Sequence, residues 1–235
     1  MNDFSQAFSM AGRLLLAADA DLLEIVVLSL QVSLLSVLIS CLIGLPVGAA
    51  LAMTRFLGRD FLVILSNALM GLPPVVVGLT VYMLLSNAGP FGNLGLLYSP
   101  SAMVIAQIVL ITPIVIALSR EILEQLHEEY ADQFLSLCVP FPLAVQTLLW
   151  DARLSLLTVI LAAFGRAIAE VGAVIMVGGN INHLTRVMTT AIALETSKGD
   201  LPLALALGII LISLSLAVNA SVMLLKLAAS RRAYA

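Results

Sequence analysis

Arg166 and Glu170 are the side chains best placed to do chemistry, because they interrupt a long apolar run. An Arg or Glu deep in hydrocarbon costs roughly 2.5–3.5 kcal/mol on insertion scales, so such residues are kept for a reason. Four positions apart, they share one helix face and can form an ion pair. The pair can lock helix packing, or it can line a water-filled path on a helix that moves. It cannot be a catalyst, since one carboxylate and one guanidinium assemble neither a nucleophile nor a metal site. No GxxxxGK[ST] phosphate loop, HExxH or GxSxG occurs elsewhere in the chain. Cys41 and Cys138 lie far apart, without a CxxC or Cys/His set, and are expected to be reduced, buried thiols. His183 has no second ligand near it in sequence, so no metal site is expected.

A second group of residues carries conformational rather than chemical information. The run Gly71-Leu72-Pro73-Pro74, with Gly78 after it, falls inside another apolar stretch. Proline removes a backbone hydrogen bond and kinks a helix. Irregular backbone at membrane depth is tolerated where it packs on protein or lines a cavity. Pro73, Pro74 and Gly78 therefore mark either a gate or a packing kink. Gly44, Pro46 and Gly48 suit close helix packing. Gly172, Gly178, Gly179 and Asn180 follow Glu170 and predict a flexible turn, with an external loop or re-entrant segment over 180–199.

The elements that must hold these residues are set by composition. The 235-residue chain is 61% hydrophobic and 11% charged, with a mean hydropathy of +1.12 and a net charge of −3. Soluble domains are about 45–50% apolar and about 25% charged, so the surplus requires a membrane. The scattered basic residues exclude a nucleic-acid partner, which would need a clustered basic face. The reading is an all-α integral membrane protein of about five transmembrane helices. The intervals between charges place them at about 25–52, 61–85, 101–118, 154–177 and 201–225. Residues 1–23 form an N-terminal interfacial segment, with a surface helix expected over Phe4 to Leu16 and no signal-peptide pattern. Residues 24–235 form the membrane domain, interrupted at about 120–153 by an aqueous segment of one or two short helices. The Lys and Arg counts favour a cytoplasmic C-terminus and an N-terminus outside. Seven (Arg55, Arg59, Arg120, Arg153, Lys226, Arg231 and Arg232) then lie inside, against Arg13, Arg186 and Lys198 outside.

Two runs resemble a known family. Gly71-Leu-Pro-Pro-Val-Val-Val-Gly78 and Phe164-Gly-Arg-Ala-Ile-Ala-Glu-Val-Gly-Ala-Val-Ile-Met-Val-Gly-Gly-Asn-Ile181 resemble the membrane subunits of molybdate and tungstate ABC importers. The continuation Thr185 to Gly199 is most similar to the tungstate branch. The resemblance covers about Glu24 to the C-terminus. It implies a type I ABC importer permease fold in the cytoplasmic membrane of a bacterium or archaeon. It further implies a homodimer in contact with membrane lipid, two copies of an ABC ATPase subunit that bind ATP and Mg2+, and an extracytoplasmic oxyanion-binding protein. No cofactor is expected in this chain. Pro73, Pro74, Gly78, Arg166, Glu170 and Gly172 become the pathway and gate candidates. The family's cytoplasmic E-A-A loop docks on the ATPase. Aligned by spacing, Asp132, Gln133 and Phe134 stand at E-A-A, Cys138 at its glycine, Leu148 at its isoleucine and Trp150-Asp151 at its L-P. This sequence keeps only an acidic and an aliphatic position of that motif. The substrate expectation is tungstate. The alternatives are molybdate, sulfate or another small solute, and, against the scarcity of ionisable residues in the spans, a secondary carrier.

Overall fold

A computed structural model describes residues 8–12 and 20–233, with side chains through 224 and at 226. Among these residues every regular element is helical. The chain runs α1 (Ala20–Met53), α2 (Arg59–Leu69), α3 (Pro74–Leu85), a 3-10 turn (Gly92–Leu94), α4 (Pro100–Ser136), α5 (Phe141–Asp151), α6 (Arg153–Ile168), α7 (Gly172–Gly178), α8 (Met188–Lys198) and α9 (Leu201–Ala233). Residues 8–12 are helical too; the rest of the expected surface helix lies outside the described residues. Three helices are long and apolar enough to cross a membrane alone: Ala20–Met53, Pro100–Ser136 and Leu201–Leu224. The pairs α2 with α3 and α5 with α6 bring the number to five if each broken pair is one span.

The departures from the expected boundaries have local causes. The third span was expected to end near Leu118, but α4 continues through 37 residues to Ser136. At 1.5 Å per residue that is about 55 Å, well beyond the roughly 30 Å of a hydrocarbon core. Residues 119–136 contain no glycine or proline, and Arg120 pairs with Glu124 one turn on, so charge ends the apolar stretch without ending the helix. The second expected span is bent by 103° at a break over residues 70–73. Pro73 caps α3 with φ −66° and ψ 120°, and Pro74 occupies its first turn, where a missing N–H costs nothing. The fourth expected span is also divided, at residues 169–171. The 180–199 segment is not an open loop throughout: most of it is α8, whose Met188, Thr189, Thr190 and Ala191 are buried.

The chain packs as two compact units. One comprises Met1–Ser36, Pro73–Gln107 and Gly165–Ser221; the other comprises Val37–Leu72, Ile108–Phe164 and Val222–Ala235. In the first, α8 packs Met188 and Ala191 with Leu22 and with Ala206, Leu207 and Ile210 of α9. Ser29 of α1 accepts the Met188 N–H at 2.8 Å, supplying a partner to the exposed N-terminus of α8. In the second unit, the small residues of α1 let it lie directly on α4. A Cβ on Gly44 would fall 2.7 Å from Val115 Cγ1, and one on Gly48 would collide with the Ser119 hydroxyl. The close-packing reading of Gly44 and Gly48 therefore holds. Arg59, Arg120 and Glu124 form a three-membered ion network beside this contact. Of the two free thiols Cys41 is buried but Cys138 is exposed, which corrects the expectation that both are buried. Cys138 lies in the turn between α4 and α5, where no element covers it.

Gly48→Val should lower the unfolding midpoint of the detergent-solubilised protein, since overpacking costs roughly 1–3 kcal/mol. Gly208→Ala, where an added methyl meets open space, should leave it unchanged. Thermal unfolding of the two variants beside the parent checks both.

Candidate functional site

The two sequence runs singled out above meet in space, and glycine makes the meeting possible. In the first unit α3 crosses α7. A Cβ on Gly78 would stand 2.8 Å from Ala173 Cα and 3.0 Å from Met176 Cβ, and one on Gly172 would stand 3.0 Å from Val75 Cγ2. Each helix presents a glycine to the other's backbone, as small-residue contacts in membranes require. Pro73 and Pro74 start α3 two turns or less before this contact, while Arg166 and Glu170 lie just before α7. The structure thus brings all six pathway candidates into one neighbourhood. Around the crossing, Val75, Val76, Leu79 and Met83 of α3 and Val171 and Ile175 of α7 remain exposed.

The break between α6 and α7 frees backbone groups that an apolar environment cannot solvate. Side chains replace the lost helical bonds. Gln107 donates to the Ala167 carbonyl at 3.1 Å. Glu170 Oε1 accepts the Ala173 N–H at 3.2 Å, placing a carboxylate at the N-terminus of α7, and Thr189 donates to the Glu170 carbonyl at 2.8 Å. Glu170 is buried, its side chain 5% exposed, whereas that of Arg166 is 40% exposed with a loose 3.5 Å contact between them. The expected pair is present, but on a helix terminus and the break that follows rather than within a continuous helix. Its carboxylate serves the backbone as much as the arginine. A cavity of about 10 Å³ adjoins, the size of one water molecule, lined by Ser29, Ser33, Gln107, Glu170 and Thr189. Gln107 and Thr189 were missed in the sequence. Their only signal was a lone amide and a hydroxyl within otherwise apolar stretches, which does not tell where they point.

Residues 120–153, expected to be aqueous, lie in the second unit, although their α5 is apolar enough to form a bent span with α6. Asp132, Gln133 and Phe134 form the last turns of α4, with Phe134 set against Tyr130 (ring centroids 5.8 Å apart) and His127. The carboxylate of Asp151 near Tyr130 raises the phenol's pKa and links the ends of α4 and α5. Leu148 is the fully buried residue of α5. Cys138 has φ +47°, and the Cys138 and Val139 N–H groups bond back to the carbonyls of Leu135 and Phe134. That is the helix-ending motif in which glycine normally holds the left-handed position. Around it Leu135, Leu137, Phe141, Leu143 and Trp150 are exposed. Pro140 caps α5 and Pro142 lies in its first turn, so the prolines redirect the chain here.

One further expectation changes. His183 is not alone: its Nδ1 lies 2.8 Å from Glu24 Oε2, with Asp21 beside them, although the residues are far apart in sequence. The hydrogen bond to Glu24 raises the pKa of His183. The expected turn follows α7, with Gly179, Asn180 and His183 all at positive φ and Thr185 bonded across it to Gly178 and Ile181.

Residues 44–232 match the family described as binding-protein-dependent transport system inner membrane component. The chain belongs to that family. This permease component is 37% identical over 221 residues to the tungstate uptake system permease protein TupB of Peptoclostridium acidaminophilum, covering 94% of this chain and 96% of the relative. It is 35% identical to the protein of the same name from Campylobacter jejuni, covering 90% and 89%. It is 37% identical to a probable anion ABC transporter permease protein of Haloferax volcanii, covering 85% and 88%. The all-helical multi-pass membrane fold and the role of a permease subunit rather than an enzyme follow from this membership.

Gly78→Leu in the permease should abolish transport while leaving the chain in the membrane, because the α3–α7 contact cannot accept a side chain. Uptake and membrane-fraction immunoblots check it. Cys138→Gly should raise stability by about 0.5–1 kcal/mol, the left-handed cost of about 1–2 less the chain-entropy cost of glycine. Denaturant unfolding in micelles measures that gain.

Proposed function

We propose that this chain is the membrane-spanning subunit of an ATP-driven oxyanion importer and that tungstate is its substrate. The observation that carries the reading is the identity of 35–37%, over nine-tenths or more of the chain, to two permeases named for tungstate uptake. A sulfate transport permease of Escherichia coli shares only 28% over a shorter match. The subunit works as a homodimer in the cytoplasmic membrane, with two ATPase subunits that bind ATP and Mg2+, and an oxyanion-binding protein outside. The N-terminus is outside and the C-terminus inside, as the Lys and Arg distribution favours.

In this scheme the crossing of α3 and α7 forms part of the pathway wall. Pro73, Pro74, Gly78 and Gly172 allow a close, hinge-like contact. Half-exposed Arg166 offsets the repulsion that an anion meets in low dielectric, and buried Glu170 orients it and holds the helix break. The segment 120–153 transmits the ATPase closure. Asp132, Gln133, Phe134 and Cys138 shape the end of α4, Leu148 anchors α5, and the exposed Leu135, Leu137, Phe141 and Trp150 supply apolar area for docking. Discrimination among oxyanions lies with the binding protein, whose donors fit the dianion.

Uptake of labelled tungstate by cells with and without this chain tests the reading. The expected result is uptake that disappears on deletion and persists under excess molybdate. Uptake that molybdate competes away would keep the importer and reassign it to a shared oxyanion system. Unchanged uptake, in cells with no second tungstate system, would overturn the oxyanion assignment.

A further inference from the structure

We propose that Asp21, Glu24 and His183 form a binding site for a divalent transition-metal ion of the zinc class. Asp21 and Glu24 stand three residues apart near the start of α1, on one helix face. His183 comes from the turn between α7 and α8. One oxygen from each carboxylate and one imidazole nitrogen lie within 4.8 Å of one another. A tetrahedral zinc ion with bonds of 2.0–2.2 Å needs neighbouring ligand atoms about 3.3 Å apart, so changes of side-chain torsion suffice to close the set. Three protein ligands leave a fourth position for water. The imidazole favours zinc, nickel or copper over calcium and magnesium, which prefer all-oxygen shells.

The two ligand-bearing elements are held in register independently of the cluster. Five residues past Glu24, the Ser29 hydroxyl accepts the N–H of Met188, itself five residues past His183. The turn carrying His183 is pinned by Thr185, fully buried, which donates to the Gly178 carbonyl at 2.6 Å and accepts from the Ile181 N–H at 2.9 Å. The separation of the ligands is thus set by buried hydrogen bonds, while the ligands themselves are exposed to ions in solution. Among the described residues Arg186 carries a positive charge near His183, and its guanidinium is engaged by Asn182 Oδ1 at 2.9 Å. A proton on His183, favoured by Glu24 and Asp21 and opposed by Arg186, competes with the metal, so affinity falls on acidification. A bound ion would clamp the start of α1 to the turn after α7.

The test uses the full chain, purified without a histidine tag and reconstituted in lipid nanodiscs. Cys138→Ser forms the background, because the exposed thiol would itself take zinc. Calorimetric titration with zinc chloride at pH 7.5 should give one ion per chain, uncompeted by excess calcium and weaker at pH 5.5. His183→Ala and Glu24→Gln should each weaken binding tenfold or more, and zinc should raise the unfolding midpoint of the parent but not of these variants. If either variant is not recovered folded, Asp21→Asn is compared with the parent, and the d–d spectrum of bound cobalt reports whether nitrogen ligation is present. No zinc binding by the parent, or equal binding by parent and variants, would overturn the proposal.

Discussion

The demand that every backbone polar group find a partner, in a chain this apolar, governs the first unit. Where α6 stops and α7 begins, the helical ladder is interrupted and hydrocarbon offers no replacement. Gln107 of α4, Thr189 of α8 and Glu170 of the break itself supply the missing bonds. Because Gln107 and Thr189 reach their targets only with α4 and α8 in place, the break and the packing around it stand or fall together. A charged residue in this setting is first a structural necessity. Glu170 caps α7 and holds Arg166 loosely, which leaves the arginine turned partly toward open space.

Close approach of backbones is the second requirement, and both units meet it with the same residue type. Gly78 and Gly172 bring α3 onto α7, while Gly44 and Gly48 bring α1 onto α4. Apolar area gives little reason for helices to associate in lipid, which is equally apolar, so contact distance and hydrogen bonding decide which faces meet. The exposed apolar side chains along α3 and α7 need no internal partner for the same reason.

Outside the apolar region different physics applies. The end of α4 carries acidic residues, yet the turn after it exposes Leu135, Leu137 and Phe141. These side chains are the apolar area that the proposed docking of a partner subunit would cover. The turn's shape comes from backbone geometry. A left-handed residue at Cys138 closes the helix end and aims α5, which meets α6 at 73°. Glycine is the residue suited to that conformation, and here a cysteine holds it.

Local composition alone was enough to determine the class of this protein. Long uncharged stretches require a membrane, five of them fit the chain, and the runs around Gly71–Gly78 and Phe164–Ile181 carry the family likeness. Pro73 and Pro74 marked a disturbance, and the spacing of Arg166 and Glu170 marked a pair. What a linear pattern cannot contain is the direction of a side chain relative to elements distant in sequence. The service of Gln107 to the α6–α7 break spans sixty residues, and the approach of His183 to Glu24 spans 159. Both depend on which faces the small residues allow to touch, and only the packed tertiary structure decides that.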